Sequence, residues 1–348
     1  MADGIDAVIS WVDGGDKNFV SLKNKYHRPE TGNSYSTEEF GEHRYVESGE
    51  LEFALHSILK YASFIKTIYI VHSQTELIEA LLPKIIPDKH RAKVIAIHHS
   101  TIFSGYEEYL PTFNSLTIET MIHRLPGLSE KYIYFNDDFL LLRQTYPTDF
   151  FQNNLPICSG YLAKPKSIAV KYDSYKALSS KTVGFVIPMK NTIKLLNGSD
   201  SDFFVRLYHS PYVFRKSTLV NFFETNHSVL RKNISYKFRS YDQFSTAALA
   251  ATLEYRRQKI KPTSLFRHIY LKPVKQFPGY CLLKILPYLL FNRVLFGCIQ
   301  NLSESKPQTR EFLKRWLRAR KSQKNESLIS SVRTILSCLA STAKKRIS

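Results

Sequence analysis

Short apolar runs alternate with helical patterns along roughly the first 140 residues of the chain. Strand-like runs cover residues 7–12, 67–71, 94–97 and 132–135. Between the first two, residues 50–61 place Leu51, Leu55 and Ile58 on one helical face, and a second helical pattern follows Asn114 and ends before Pro126. The alternation predicts an α/β fold, in which helices connect parallel strands and cover the faces of their sheet.

The pattern weakens after this region. Residues of about 140–205 are interrupted by Pro, Asn and Ser, which predicts an inserted, less regular subdomain on the acceptor side of the sheet. Helical patterns resume after His209 through Leu230 and again over residues 242–255. Residues 28–48 lack periodicity, and we interpret them as a long loop over the sheet edge that acts as a lid.

The composition indicates a folded, basic protein. The chain has 348 residues, is 43% hydrophobic and carries a formal net charge of +19. Its four cysteines show no metal or redox spacing, which favours a reducing compartment. Neither a secretory leader nor a membrane span is expected, because the apolar stretch over residues 280–296 is interrupted by charges and a proline. We therefore expect a cytoplasmic protein.

The positive charge is concentrated near the end of the sequence. Residues 310–348 contain eleven Lys and Arg against two Glu, nearly half of the total net charge. Phe312, Leu313, Trp316 and Leu317 form an apolar stripe bordered by basic residues, as in a helix that lies on an anionic membrane. A second stripe over residues 328–339 fits either a membrane or the protein's own domain. We thus expect an α/β catalytic domain over residues 1–305 and a basic amphipathic helical tail over 306–348.

Two predicted strands end in acidic residues. The first continues into Trp11, Asp13 and Gly14, and the last continues into Asn136, Asp137 and Asp138. Because parallel strands end at one edge of their sheet, both ends should face the ligand crevice of that edge. Two adjacent carboxylates there favour a divalent cation. Considered alone, an Asp-Asp pair is more often one capping and one solvated aspartate, and Trp11 to Gly14 is also typical of a core tryptophan followed by a plain turn.

Three further positions offer groups for phosphate chemistry. His209 precedes Ser210-Pro211 on a predicted loop and has the side chain best suited to a general base near neutral pH, although a single histidine is more often structural. Arg239 and the pair Arg215-Lys216 offer cations for phosphate oxygens. Each of these cations is also typical of an ordinary surface charge.

The order of these segments resembles the Stealth family of bacterial capsular polysaccharide phosphotransferases, whose core is similar to the enzyme that makes the mannose-6-phosphate tag. The resemblance covers about residues 5–305 in four blocks. The blocks are Ile5 to Gly14; Arg44, Ser48 to Leu51, Leu110 to Ser115 and Ile133 to Asp138; His209 to Lys216 with Phe238-Arg239; and Cys298 to Asn301. The last block departs from the family, which more often closes with an Asn-Asp pair where this chain has Gln300-Asn301.

The resemblance implies a glycosyltransferase-A-like sheet that transfers a sugar-1-phosphate from a UDP-sugar to a hydroxyl of a capsular glycan. A phosphodiester forms and UMP leaves. The implied cofactor is Mg²⁺, with Mn²⁺ as a substitute, held by Asp137, Asp138 and Asn301. The other implied roles are a proton acceptor for His209, stabilisation of phosphate charge for Arg239, and substrate binding for Trp11, Asp13, Gly14, Arg44, Asn114, Arg215 and Lys216.

The expected setting is the cytoplasmic face of the bacterial inner membrane, with peripheral contact to its anionic surface or to capsule assembly proteins. A conventional glycosyltransferase that releases UDP is the nearest alternative on the same scaffold. A basic nucleic-acid-binding or membrane-binding protein is the alternative from another class. We expect no nucleic acid partner, because the excess positive charge lies beyond the predicted pocket.

Overall fold

The structure is a computed structural model that describes residues 4–26, 47–164, 186–196, 203–258, 262–263, 267–290 and 294–322. Arg44, nearly all of the predicted lid and the second apolar stripe of the tail lie outside these residues.

Twelve strands are present in the described part of the chain. They are β1 (Ile5–Ser10), β2 (Ile65–His72), β3 (Val94–His98), β4 (Lys131–Asn136), β5 (Phe139–Leu141), β6 (Phe151–Gln152), β7 (Leu155–Pro156), β8 (Gly160–Ala163), β9 (Phe204–Leu207), β10 (Tyr212–Arg215), β11 (His268–Leu271) and β12 (Phe296–Ile299).

The helices surround these strands. They are α1 (Lys17–Tyr26), α2 (Glu50–Tyr61), α3 (Thr75–Ile85), α4 (His99–Ile102), α5 (Ser115–Met121), α6 (Val186–Leu195), α7 (Lys216–Thr225), α8 (His227–Ile234), α9 (Thr246–Gln258), α10 (Pro278–Leu290) and α11 (Pro307–Ser322).

A five-stranded sheet forms the centre of the molecule, with strand order β10-β4-β1-β2-β3. The strands β1 to β4 are parallel, and β10 is antiparallel to β4. The sheet is buried on both faces, so its strands consist of nearly continuous apolar residues, as the pattern of β1 and β4 shows. The predicted α/β class, with parallel strands and covering helices, is confirmed.

A buried carboxylate fixes the starts of three segments at the amino edge of this sheet. Asp6 is 1% exposed, and its two oxygens accept hydrogen bonds from the backbone N–H groups of Thr67 (3.1 Å) and Ser129 (2.7 Å). These bonds satisfy the charge of the carboxylate inside the protein. They also align β1 with the first residues of β2 and with the segment that leads into β4.

A second, three-stranded sheet lies directly beyond β4. Its order is β11-β12-β5, and β12 is parallel to β11 and antiparallel to β5. The chain leaves β4 at Asn136 and enters β5 at Phe139, so Asp137 and Asp138 form the link between the two sheets. The sequence pattern did not predict this second sheet, because its strands are only three or four residues long.

One predicted helix is partly wrong. The segment after His209 continues as the strand β10 before α7 begins at Lys216. Val213 and Phe214 pair with Ile133 and Tyr132 of β4, so the available edge of the sheet determined their conformation. The predicted helix over residues 242–255 is present and begins at Thr246.

The amphipathic helix predicted at the start of the tail is α11, but its apolar stripe does not face a membrane. Phe312, Leu313, Trp316 and Leu317 are at most 7% exposed and pack in one cluster with α2, α10 and the second sheet. This burial corrects the expectation that the stripe lies on an anionic membrane. The stripe is buried in the protein's own core, so α11 is a structural part of the domain.

We expect the Trp316→Ala variant to lower the free energy of unfolding by about 3–5 kcal/mol, because it leaves a cavity in this cluster. Arg318→Ala, on the exposed face of the same helix, should change it by less than about 0.5 kcal/mol. Urea unfolding followed by circular dichroism measures both values. Equal stability of Trp316→Ala and the wild type would contradict the packing of α11 described here.

Candidate functional site

The carboxyl ends of β1 and β4 are neighbours in the sheet. Ser10 pairs with Asn136 in the parallel register, and the Ser10 hydroxyl lies 2.6 Å from the hydroxyl of Tyr134. The chain runs from β1 outward to β2 and β3 and then returns to β4 on the other side of β1. A crevice forms where the strand order reverses in this way, and α/β proteins bind their ligands there. The prediction that both acidic strand ends share one edge is confirmed.

The segment after β1 is held in place by a glutamine. The Gln74 side chain accepts a hydrogen bond from the Asp13 N–H (2.6 Å) and donates one to the Asp13 carbonyl (2.8 Å). The carboxylate of Asp13 accepts a bond from the N–H of Gly15 at 2.8 Å. This is the turn chemistry of an Asp-Gly segment. The turn places the buried Gly14 and the adjacent backbone at the crevice.

Trp11 connects this segment to a pair of glutamates. The indole is 4% exposed, and its Nε1 donates a hydrogen bond to Oε2 of Glu47 at 2.8 Å. Glu47 and Glu50 then accept hydrogen bonds from the backbone N–H groups of Gly49 and Ser48, respectively. These bonds hold both carboxylates at the start of α2.

Four carboxylates crowd together at this edge. Burial raises the pKa of Asp137 well above its usual range, and the charges of Asp138, Glu47 and Glu50 raise it further. Burial, followed by the charge of Glu47, raises the pKa of Glu50 to about 7. Such mutual repulsion is costly unless protons or a cation neutralise it.

Asp138 has one oxygen paired and one oxygen without a partner. Its Oδ2 accepts a hydrogen bond from the thiol of Cys298 at 3.4 Å, while its buried Oδ1 has no hydrogen-bond partner. Burial raises the pKa of Asp138 to about 6. The pKa of Cys298 is also raised, by burial and then by Asp138, so the thiol remains a neutral donor at pH 7. A buried carboxylate oxygen without a partner suits a divalent cation.

His209 approaches the same region from the loop between β9 and β10. Its ring stacks on Tyr270 with centroids 5.2 Å apart, and the Tyr270 hydroxyl donates a hydrogen bond to Gln300. The pKa of His209 is lowered to about 4. Burial is the largest cause, the positive charge of Arg239 is the second, and His268 and Lys272 add smaller contributions. The imidazole is therefore neutral at pH 7 and able to accept a proton.

Arg239 lies within electrostatic reach of His209. Its Nη2 donates a hydrogen bond to the hydroxyl of Ser115 at 2.6 Å. Its positive charge acts to lower the pKa values of His209, Tyr134 and the buried Glu119. The negative charge of Asp137 contributes to raising the pKa of Tyr134, and that of Asp138 contributes to raising the pKa of Tyr270. The structure therefore brings His209, Arg239 and the acidic strand end together.

Asn301 follows β12, beside the same strand end. The N–H of Ile299 donates to the carbonyl of Asp138 at 3.1 Å, which keeps the end of β12 against the acidic link. Asn301 has a left-handed backbone (φ 57°), and its amide Nδ2 donates to Glu304 at 2.9 Å. Its metal-binding role stays a prediction.

Three predicted substrate contacts are wrong. Asn114 is fully buried: its side-chain oxygen accepts the N–H of Leu116 at the start of α5, and its nitrogen donates to Tyr236 and Gln243. Its role is structural. Arg215 and Lys216 lie at the amino end of β4, away from the acidic link at its carboxyl end, because β10 runs antiparallel and pairs Arg215 with Lys131.

The length of β4 separates that pair from the acidic link by about 17 Å. Arg215 is also engaged there, since its Nε and Nη2 each donate to Glu254 at 2.9 Å. Arg44 lies outside the described residues.

Several residues at the site were not predicted from the pattern: Glu47, Glu50, Gln74, Tyr270 and Cys298. A weak signal existed for the two glutamates, which lie three positions apart at the start of a helix. Cys298 lies in the fourth block of the family resemblance, but neither its contact with Asp138 nor the position of Tyr270 has a local signal, because both depend on the second sheet.

Comparison with known proteins shows which families this chain is similar to. Residues 44–158 match the model of Stealth protein CR2, conserved region 2, which includes the acidic link. The capsular polysaccharide phosphotransferase of Actinobacillus suis is 36% identical over 152 residues, which cover 43% of this chain and 38% of that protein. Capsular polysaccharide phosphotransferase LcbA of Neisseria meningitidis is 32% identical over 248 residues, which cover 70% of this chain and 62% of that protein.

The chain thus spans less than two thirds of these relatives. Among solved structures, the apo form of the bifunctional glycosyltransferase WbbM aligns with a TM-score of 0.47 and 11% identity, over 100% of this chain and 52% of that one. In sequence, the chain carries the Stealth CR2 region and is similar to capsular polysaccharide phosphotransferases.

Proposed function

We propose that this protein is a capsular polysaccharide phosphotransferase that transfers a sugar-1-phosphate from a UDP-sugar to a hydroxyl group of a glycan. The observation that carries the proposal is the placement of a neutral His209, Arg239 and a half-buried Asp138, whose Oδ1 is buried and unpaired, at the carboxyl edge of β1 and β4. Relatives named as capsular polysaccharide phosphotransferases support the same chemistry.

The donor occupies the crevice where the strand order reverses. Trp11, the turn at Asp13 and the small Gly14 line this part of the edge, and they hold the uridine diphosphate portion of the donor. Gly14 has no side chain, so the backbone of this turn can approach the diphosphate closely. Gln74 fixes this turn through two hydrogen bonds and so acts as a positioning residue.

Asp137 and Asp138 offer two carboxylates for a Mg²⁺ ion, whose coordination substrate phosphates would complete. The unpartnered Asp138 Oδ1 and the repulsion among Asp137, Asp138, Glu47 and Glu50 are the features that a divalent cation relieves. Mg²⁺ is commonly bound by one or two carboxylates together with substrate phosphates. Asp137 and Asp138 would hold the ion, with Asn301 nearby. When bound, it would neutralise charge on the diphosphate.

His209 removes the proton of the acceptor hydroxyl. The acceptor oxygen forms a bond to the phosphorus next to the donor sugar, and the bond from that phosphorus to the bridging oxygen breaks. UMP leaves with the electron pair of the broken bond, and the proton remains on His209. Arg239 stabilises negative charge on the transferred phosphate. Stacking on Tyr270 holds the imidazole in a fixed orientation.

The acceptor in this proposal is a capsular glycan, and the protein works at the cytoplasmic face of the inner membrane through peripheral contact. In the described residues, the helices are too short or too polar to cross a membrane. The buried stripe of α11 is not the contact surface, which must therefore lie elsewhere on the protein.

The first prediction concerns the reaction product. Incubation with a panel of UDP-sugars and a short acceptor should release UMP and form a phosphodiester, detected by chromatography and ³¹P NMR. The His209→Asn variant should lower kcat by about 10²–10⁴-fold because the proton acceptor is lost, with donor affinity retained. Release of UDP would instead identify a conventional glycosyltransferase. Unchanged turnover in His209→Asn would remove His209 from the mechanism.

The second prediction concerns the metal. Mg²⁺ should raise the melting temperature of the wild-type protein, and Asp138→Asn should weaken the affinity for Mg²⁺ by at least about tenfold. Without Mg²⁺, Asp138→Asn should melt higher than the wild type, because one carboxylate of the repelling cluster is gone. The surface variant Asp88→Asn is the matched control. An equal response of Asp138→Asn and Asp88→Asn to Mg²⁺ would contradict the proposed site.

The third prediction concerns the pKa of His209. Its ring resonances should titrate near pH 4 instead of near 6.5, so the residue stays neutral from pH 7 down to about pH 5. Arg239→Gln should raise this pKa, because a nearby positive charge is removed. It should not restore 6.5, since burial is the larger cause. Lys237→Gln is the control. Titration of the wild-type ring near 6.5 in an NMR experiment would contradict the buried, cation-flanked environment.

A further inference from the structure

A basic cavity of about 570 Å³ lies outside the candidate active site. It is formed by the second half of α2, the loop after α3, β5 and the end of α11. Along α2 the lining runs from Phe53 to Tyr61, and none of Glu47, Glu50, Asp137 and Asp138 lines the cavity. The cavity is therefore a separate feature of the molecule.

Positive groups dominate the polar lining of this basic cavity. They are Lys60, Lys89, Arg320 and Lys321, and two neutral histidines, His56 and His90, lie beside them. Among the described residues that line it, none carries a carboxylate or carboxamide side chain. The nearby Glu52 forms an ion pair with Lys321 at 2.7 Å, and both side chains are more than one third exposed.

Two of the cations are built into the wall. Arg320 is 6% exposed and donates hydrogen bonds to the carbonyl of Leu142 and to the hydroxyl groups of Tyr61 and Tyr288. Lys60 donates to the carbonyl of Arg320. These bonds fix the positive charges at the junction of α2, α10 and α11. Lys89 is exposed at the rim and lies on the loop after α3.

One polar atom of the lining has no partner. The Nε2 atom of His56 is buried and makes no hydrogen bond. Burial lowers the pKa of His56, and the charge of Lys321 lowers it further, so the ring is neutral at pH 7. A bound anion would offset the charge of Lys321 and raise this pKa.

The remaining surface of the cavity is apolar. It consists mainly of leucines, including Leu59, Leu142 and Leu317. Leucine side chains beside a cluster of cations suit a ligand that has an anionic head and an apolar body.

We propose that the basic cavity binds the phosphate headgroup of an anionic phospholipid. Cations at an anionic bilayer surface each contribute to binding, and apolar side chains beside them contact the glycerol and acyl portion. The volume suits an organic phosphate better than a bare ion. A glycan would require hydrogen-bond acceptors for its many hydroxyl groups, and the described lining offers few. The site would supply the peripheral membrane contact that the buried stripe of α11 does not provide.

The test uses the full chain and soluble short-chain lipids. Isothermal titration should show saturable binding of dihexanoyl phosphatidylglycerol, with little binding of dihexanoyl phosphatidylcholine and weaker binding of inorganic phosphate. Lys89→Glu should weaken the phosphatidylglycerol affinity by about tenfold, because it reverses one charge at the rim. Lys84→Glu, exposed on α3 but outside the lining, is the matched control. In the wild type, the His56 ring pKa should rise on binding, as measured by NMR.

Several results would overturn the proposal. Equal affinity for both lipids would show that the cations do not select the ligand, and tighter binding of inorganic phosphate would identify a simple anion site. Equal effects of Lys89→Glu and Lys84→Glu, or no change at His56, would place the lipid elsewhere. The site does not rest on the proposed transfer reaction. A protein that binds phosphatidylglycerol but releases no UMP would retain this inference and lose the proposed function.

Discussion

The parallel pairing of β1 with β4 is the interaction on which the candidate site depends. It places Ser10 beside Asn136 and so brings the turn at Asp13 and the acidic link at Asp137 and Asp138 to one crevice. Parallel strands need long crossover connections, and those connections contain the helices that cover the sheet. The buried Asp6 supports the same alignment from the opposite edge by bonding the start of β2 and the segment that precedes β4.

The second sheet determines which oxygen of Asp138 is hydrogen-bonded and which residue stacks on His209. Because β5 follows Asp138 directly and pairs with β12, Cys298 donates its thiol to one oxygen of Asp138 and leaves the other without a partner. The strand β11 places Tyr270 beneath His209. Burial then has opposite effects on the two groups: it raises the pKa of the carboxyl group and lowers that of the imidazole. The resulting neutral base beside a carboxylate that lacks a counter-charge suits phosphoryl transfer.

Acidic and basic side chains are concentrated in two separate regions of this protein. Carboxylates gather at the carboxyl edge of the main sheet, while cations gather around the far end of α2 and the end of α11. The helix α2 connects them, with Glu50 at its first residue and Lys60 near its last. A donor that carries a diphosphate and a cation would bind at the first region, and an anionic headgroup at the second. The two ligands would therefore occupy separate parts of the protein.

The sequence by itself determined the class of fold and the acidic strand ends, because both depend on short-range patterns: apolar runs of strand length, helical periodicity, and polar residues that follow a strand. Only the tertiary structure decided the direction of β10, which removed Arg215 and Lys216 from the site, and the burial of the α11 stripe. It also decided the roles of Asn114, Tyr270 and Cys298. Each of these outcomes depends on pairing between segments distant in sequence, and a local pattern contains no information about its partner.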